Sequence, residues 1–319
     1  MKIGIITPAP PRSRYGNRVT ALRWARILRE LGHRATIAQA YNGEAFDLLV
    51  ALHAKKSHDA IKRFHRAHPG RPLIVALTGT DLYRDLKRSQ HARESLELAT
   101  QIVVLQPKAL DELPEHLHEK TRVIYQSVKL VPLISNLQSP ISRFQICVIG
   151  HLRDVKDPFR AAMAARLLPA SSRIHVVHAG GAMNVRMAER ARREMTINPR
   201  YRWIGEQPHG RVRQLLRRSQ LLVHSSRLEG GANVISEAIV AGTPVIASRI
   251  PGNVGLLGEE YAGYFDTGDA TCLARLLARA EVSSAFRAEL RAQCEKRKPL
   301  FAPAFERQRW VELLAEATG

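Results

Sequence analysis

Short, almost wholly apolar runs alternate with helical segments along nearly the whole chain, and that alternation restricts it to a parallel α/β architecture. In the first half the runs are KIGIIT (Lys2–Thr7), ATIAQ (Ala35–Gln39), DLLVAL (Asp47–Leu52), PLIVAL (Pro72–Leu77), QIVVL (Gln101–Leu105) and RVIYQ (Arg122–Gln126). A strand that is apolar at every position must be covered on both faces, and helices between successive strands supply those covers. A second series, FQICVIG, IHVVHAGG, YRWIG, LLVHSS and PVIAS, starts at Phe144. Between the two series, around Lys129–Arg143, the pattern gives way to Pro, Ser and Asn, as in a link between domains. The expectation is an α/β protein of two facing Rossmann-like, doubly wound domains with an interdomain cleft. The boundaries fall at 1–130 and 144–303, and a C-terminal helix, about 304–319, can pack back on the first domain.

Length and composition fit that picture: 319 residues with 45% apolar content leave room for two proper cores. No apolar run reaches the ~18 residues that a membrane span requires. The opening MKIGIITPAP reads as a buried strand rather than a secretory leader. Cys147, Cys272 and Cys294 form neither a close pair nor a metal-like spacing, which suits a reducing compartment. A cytoplasmic protein with no stable membrane insertion is expected; its oligomeric state is not legible. The net charge of +20 would attract polyanions, so a basic nucleic-acid-binding protein is the alternative of another class. The arginines are spread over helical patterns, as in Arg23, Arg26 and Arg29 or Arg186, Arg190 and Arg193. Aromatic residues make up only 6%, no nucleic-acid-binding motif occurs, and no aromatic-anchored amphipathic helix points to a lipid surface. Most of the charge therefore belongs to solvated faces, with a minority serving anionic ligands, and no nucleic acid is expected as a partner.

The most informative stretch lies between Leu221 and Asp269, which runs strand, glycine-rich turn, helix and strand. LLVH is the first strand, Ser225–Gly231 the turn, Ala232–Ala241 the helix with Gly242 at its end, and Val245–Ser248 the next strand. Glu229 sits on the turn and Glu237 within the helix. A helix N-terminus offers N–H groups and partial positive charge to a diphosphate. Glu237 can accept hydrogen bonds from a ribose diol while Glu229 faces the reacting end of the same ligand. A lone Glu on a helix is ordinarily a solvated residue, and the surroundings decide otherwise here.

EGG, SEA, AGTPV and PGNVG follow one another in the order found in retaining glycosyltransferases of the GT-B fold whose motif is a Glu, seven residues and a second Glu. The segment resembles that family. The resemblance implies that Glu237 holds the donor's ribose and that Glu229 lies beside the transferred sugar. It further implies a donor site that includes Gly230, Gly231, Ala232, Asn233, Val234 and Gly205. In GHLRDVKDP, Lys156 falls on the family's diphosphate-gripping Lys, whereas His151 occupies its Arg position, so the guanidinium role passes to Arg153. No Asp-x-Asp metal motif occurs, so neither metal nor cofactor is expected, and preorganised cations and backbone N–H groups would carry the leaving group's charge.

The acceptor side is read in the first domain. The loop Arg12–Arg18 leads into a helix expected over Val19–Leu31 and would place Gly16, Asn17, Arg18 and Thr20 at the helix mouth. His53, Lys55 and Lys56 follow one strand end, and Thr78, Gly79, Thr80 and Asp81 follow another, where open α/β sheets bind ligands. His53 reads equally well as a buried structural histidine. Many relatives carry a histidine near the third loop; Thr78 or Thr80 stands there instead, which leaves a general base unassigned. NRVTALRWARIL, DLLVALHAKKS, LTGTDLYRDL, VVLQ, GHLRDVKDP and SRLEGGANVISEA resemble, over nearly the whole chain, the selenosugar synthases of selenoneine biosynthesis. That narrower resemblance implies UDP-N-acetylglucosamine or UDP-glucose as donor and selenophosphate as acceptor, an already ionised nucleophile that needs cations and donors rather than a strong base. A GT-B enzyme with an oxygen acceptor, a lipid or polysaccharide precursor, is the alternative within the same class.

Overall fold

In the computed structural model the described residues are 1–13, 15–129 and 143–319. Arg14 and residues 130–142, the greater part of the expected link, lie outside them. The chain divides into two compact units: Met1–Ser127 with Glu229–Gly231 and Ala302–Gly319, and Val128–Leu228 with Ala232–Phe301.

The first unit is built on β1 (Lys2–Ile6), β2 (Arg34–Ala38), β3 (Leu48–Leu52), β4 (Leu73–Ala76), β5 (Gln101–Val104) and β6 (Thr121–Val123). They form a parallel sheet in the order β2-β1-β3-β4-β5-β6. Successive side chains of a strand point to opposite faces, and the two faces have separate cores. Leu49, Ala51, Leu73 and Val75 pack with Ile61, Phe64 and Leu96 on one face. Leu48, Val50, Leu52 and Ile74 pack with Trp24, Leu28, Trp310 and Leu313 on the other. Burial on both sides is why these strands are continuously apolar. Trp310, on the helix Pro303–Thr318, meets Trp24 edge to face with ring centroids 5.0 Å apart. The buried Glu306 carboxylate accepts hydrogen bonds from Trp24 Nε1 at 2.9 Å and from the backbone N of Ser127 at 2.8 Å.

The second unit contains β7 (Phe144–Ile149), β8 (Ile174–Ala179), β9 (Tyr201–Trp203), β10 (Leu221–His224), β11 (Val245–Ser248) and β12 (Tyr264–Phe265). This sheet is also parallel, in the order β12-β11-β10-β7-β8-β9. The strand order reverses at the β7–β10 pair, so the connections from these neighbours leave in opposite directions and open a crevice at their carboxyl ends.

Three sequence expectations need correction. The first helix begins at Gly16 and ends at Glu30, with Tyr15 as its extended, non-capping N-terminal neighbour. Gly16, Asn17 and Arg18 are thus its first turn, not the end of a loop. Asp81–Asp85, read as loop, is a single π-helical turn, a geometry that recurs at functional sites. The two-residue β12 is too short to leave an apolar run in the sequence.

Candidate active site

In the second unit, the crevice beyond β7 and β10 is lined by Gly150, His151, Lys156, His178, Ser225 and Ser226, among others. Lys156 ends a short turn, Asp154–Lys156, that closes on Asp157 in the left-handed region at φ 43°. Ser225 Oγ donates to the Asp157 carbonyl at 2.9 Å, and Asp157 in turn accepts from Arg160 Nε at 2.8 Å. The Lys156 turn is therefore tied both to the end of β10 and to the helix Arg160–Arg166. Lys156 lines the crevice, whereas Arg153, just before this turn, is exposed and is not among its lining residues. His151 Nδ1 accepts from Gly181 N at 3.2 Å, which fixes this ring against the end of β8. Behind them the fully buried His178 faces the Gly150 carbonyl from Nε2 at 3.0 Å and the Tyr201 hydroxyl from Nδ1 at 2.9 Å. Burial lowers its pKa to about 4, so the ring is neutral. Nε2 then carries the proton and donates to the Gly150 carbonyl, while Nδ1 accepts from Tyr201.

The helix expected from Ala232 begins at Asn233 and ends at Ala241, with Gly242 left-handed at φ 76° as its C-terminal stop. Ala232 precedes it in extended conformation. No side chain caps the helix, and its first turn, with Asn233 and Val234, contains no acidic residue, so its partial positive charge is not offset there. Glu237 is half-buried on the second turn, with Oε1 3.8 Å from His209 Nε2. Gly205, left-handed at φ 69°, accepts from Gly180 N at 2.8 Å, which joins the loops after β8 and β9.

Glu229, Gly230 and Gly231 belong to the first unit. A Cβ on Gly230 would lie 2.5 Å from the Thr78 carbonyl carbon, and one on Gly79, at φ 142°, 3.0 Å from Gly230 N. A Cβ on Gly231 would lie 2.8 Å from Leu105 Cβ. The two loops meet backbone to backbone, which leaves no room for side chains at this contact. The glycines of EGG and TGT thus explain each other.

The loops after β3 and β4 converge on one carboxylate. Asp81, fully buried, accepts from Gly79 N at 2.8 Å, from Thr78 N at 2.9 Å and from Ala54 N at 3.2 Å. His53 is 2% exposed, so it does not present its ring to solvent as a ligand-binding residue would. Its Nε2 lies 3.2 Å from Thr80 Oγ1, and Lys56 N donates to its Nδ1 at 3.4 Å. Desolvation lowers its pKa; the nearby Asp81 and Asp85 oppose that shift without overcoming it. Lys55 is exposed, with Nζ 3.9 Å from Asp85 Oδ1, and Thr78 and Thr80 are half-buried.

Thr20 is a second correction among the acceptor residues. It is 3% exposed, and its hydroxyl accepts from Gln126 Nε2 at 2.6 Å, so it braces the first helix against the segment after β6. Gly16 is exposed and Asn17 and Arg18 half-buried at the start of that helix, whose first turn has neither a capping side chain nor an acid. Read from the sequence, Asp81 had no more than a place in its loop and Ser225 no more than the start of the turn Ser225–Gly231. The local signal for Asp81 was its position two residues after a glycine at a strand end, and for Ser225 a polar residue directly after the apolar LLVH.

Among the described residues no helix is long and apolar enough to cross a membrane. A curated relative, glycosyltransferase 1 domain-containing protein 1 of Xenopus tropicalis, is 26% identical over 279 residues, or 79% of this chain and 80% of its own length. Among solved structures, HepE of Anabaena in complex with UDP and glucose superposes with a TM-score of 0.74 at 17% identity, covering 99% of both chains. Sucrose-phosphate synthase of Thermosynechococcus elongatus gives 0.78 at 15% identity, covering 99% of this chain and 98% of its own. These likenesses agree with the GT-B class of paired Rossmann-like sheets. The model of the glycosyl transferases group 1 family matches residues 134–299, more than half of the chain, and the chain belongs to that family.

Proposed function

We propose that the protein transfers the sugar of a UDP-sugar, UDP-N-acetylglucosamine or UDP-glucose, to the selenium of selenophosphate, with retention of anomeric configuration. The observation that carries the donor half is the crevice at the β7–β10 reversal, where Lys156 lines the site with backbone and serine groups. A nucleoside diphosphate is the ligand such a place suits, since cations and oriented N–H groups meet the charge that accumulates as it leaves. HepE, which shares the fold, holds UDP and glucose in its solved structure. Glu237 would take the ribose, Gly205 and the turn Gly230–Val234 the rest of the donor, and Glu229 the face of the transferred sugar. Lys156, with Arg153 from the rim, would neutralise the diphosphate without metal.

The acceptor half rests on the resemblance carried by LTGTDLYRD and EGGANV. Selenium attacks the anomeric carbon, the bond from that carbon to the UDP oxygen breaks, and its electron pair leaves with UDP. Water then cleaves the Se–P bond, giving phosphate and a 1-seleno sugar. Lys55, Thr78, Gly79 and Thr80, with Gly16, Asn17 and Arg18 at the uncapped helix start, supply the donors and cations an anionic nucleophile needs. Thr20 and His53 serve from behind, because both are buried.

Incubation with each UDP-sugar and selenophosphate, followed by mass spectrometry, tests the whole proposal. A product with selenium's isotope pattern and the mass of a seleno sugar is expected. A product with hydroxyl acceptors and none with selenophosphate would move the protein to an oxygen acceptor.

A further inference from the structure

Three unusual features meet at the ends of β3 and β4. His53 adopts a left-handed backbone conformation at φ 75°, which a non-glycine residue holds only when its surroundings force it. Directly across, Asp81 opens a π-helical turn while accepting hydrogen bonds from both loops. Between them, the imidazole Nε2 of the buried His53 lies 3.2 Å from the hydroxyl of the half-buried Thr80.

Asp81, His53 and Thr80 are the residue types of a nucleophilic relay in which Asp orients His and His takes the hydroxyl proton. The distances contradict that polarity. Asp81 Oδ2 stands 4.0 Å from Nδ1, beyond hydrogen-bond reach, and Asp85 Oδ2 is 3.9 Å from Nε2. Besides the residue's own backbone, the group that addresses Nδ1 is the backbone N–H of Lys56 at 3.4 Å, which can only donate. A neutral imidazole whose Nδ1 accepts must carry its proton on Nε2. Nε2–H then donates to Thr80 Oγ1, and the hydroxyl proton of Thr80 is turned away from the histidine.

We propose that His53 is a positioning residue that holds the Thr80 hydroxyl as a one-way hydrogen-bond donor to an anionic acceptor substrate. This rests on the reading that the loops after β3 and β4 take the acceptor. The hydroxyl is neither nucleophile nor base; it presents its proton to an accepting ligand atom, and a charged phosphate-type oxygen is the stronger partner. Asp81 keeps the device in register by fixing Thr78, Gly79 and Ala54. The missing general base is thereby accounted for: the residues at this place are arranged to give a proton's hydrogen bond, not to take a proton.

The test has two independent arms. Long-range nitrogen–proton NMR of the folded protein should show His53 as the neutral Nε2–H tautomer. An Nδ1–H tautomer or an imidazolium near neutral pH would overturn the proposal whatever the enzyme's substrates are. In the second arm, Thr80→Val should raise the selenophosphate KM, and the dissociation constant of inorganic thiophosphate used as a probe, by about tenfold or more, with UDP affinity unchanged. Thr80→Ser should restore both. His53→Gln places an amide donor near the Nε2 position and should stay near wild type. His53→Asn keeps a residue that tolerates the left-handed region but cannot reach Thr80, and should behave like Thr80→Val. Equal behaviour of the Gln and Asn variants would reduce His53 to a packing residue. Absence of turnover with every UDP-sugar would refute the proposed function instead, leaving the tautomer result intact.

Discussion

In the proposed donor site Glu237 supplies the carboxylate for the ribose. It is half-buried on the second turn of the helix Asn233–Ala241, so a hydrogen bond it makes is partly shielded from water. Glu237→Gln preserves shape but replaces an ionised acceptor by an amide. Charge-assisted bonds contribute about 1.5–3 kcal/mol, so UDP affinity is expected to fall roughly tenfold or more. Titration calorimetry on the folded variant checks this, and wild-type affinity would remove Glu237 from the donor site. At this scale the sequence was unevenly legible. The place of Lys156 just beyond β7 could be read because its strand, FQICVIG, is plain. The burial of Thr20 could not, because it depends on Gln126, 106 residues further along the chain. The left-handed conformation of His53 was equally hidden, since nothing in DLLVALHAKKS resembles a turn and the hydrogen bond from Ala54 N to Asp81 joins it to a loop far along the chain.

The elements were easier to read than their ends. Strands buried on both faces announce themselves as apolar runs, and all the strands of the two sheets but the two-residue β12 were legible. The start of the first helix was misjudged because Gly16 and Asn17 resemble turn residues, and only the extended conformation of Tyr15 sets the boundary. The π-helical turn at Asp81 has no periodicity to detect; at its start the Asp81 side chain accepts from Thr78 N and Gly79 N. His178 shows how elements are joined: it ties β8 to the Gly150 loop after β7 and to Tyr201 on β9. Its folded pKa, about 4, lies below the ordinary histidine value of 6.5 expected in the unfolded chain, so the unfolded state takes up the proton first on acidification. The stability this neutral histidine contributes is complete above about pH 6.5 and is lost as the pH falls towards about 4, a change on the order of 3 kcal/mol. His178→Gln retains an amide donor for Gly150 and removes the titration. Urea unfolding across that range should show a shallower pH dependence for the variant than for wild type; identical slopes would mean that His178 does not titrate as its burial requires.

The whole molecule carries a net charge of +20, and the proposed chemistry draws on it at few points. Lys156 lines the crevice, and in the proposed chemistry Arg153 and the uncapped start of the helix Asn233–Ala241 add their charge. If these groups suffice for the departing diphosphate, turnover persists in excess EDTA. Loss of activity with chelator and recovery with magnesium or manganese would show that they do not. At this scale the two-sheet architecture was legible from the two series of strands. The burial of Glu306 against Trp24 and Ser127 was not, because a lone acid near the start of a helix looks like any solvated glutamate. The composition alone would equally have suited a nucleic-acid binder; the strand-end loops, not the charge, separate the two. The most direct measurement counts UDP, phosphate and seleno sugar in one reaction. One UDP and one phosphate are expected for each seleno sugar, with UDP release requiring selenophosphate; UDP release indifferent to selenophosphate, or absent with every UDP-sugar, would contradict the proposed transfer.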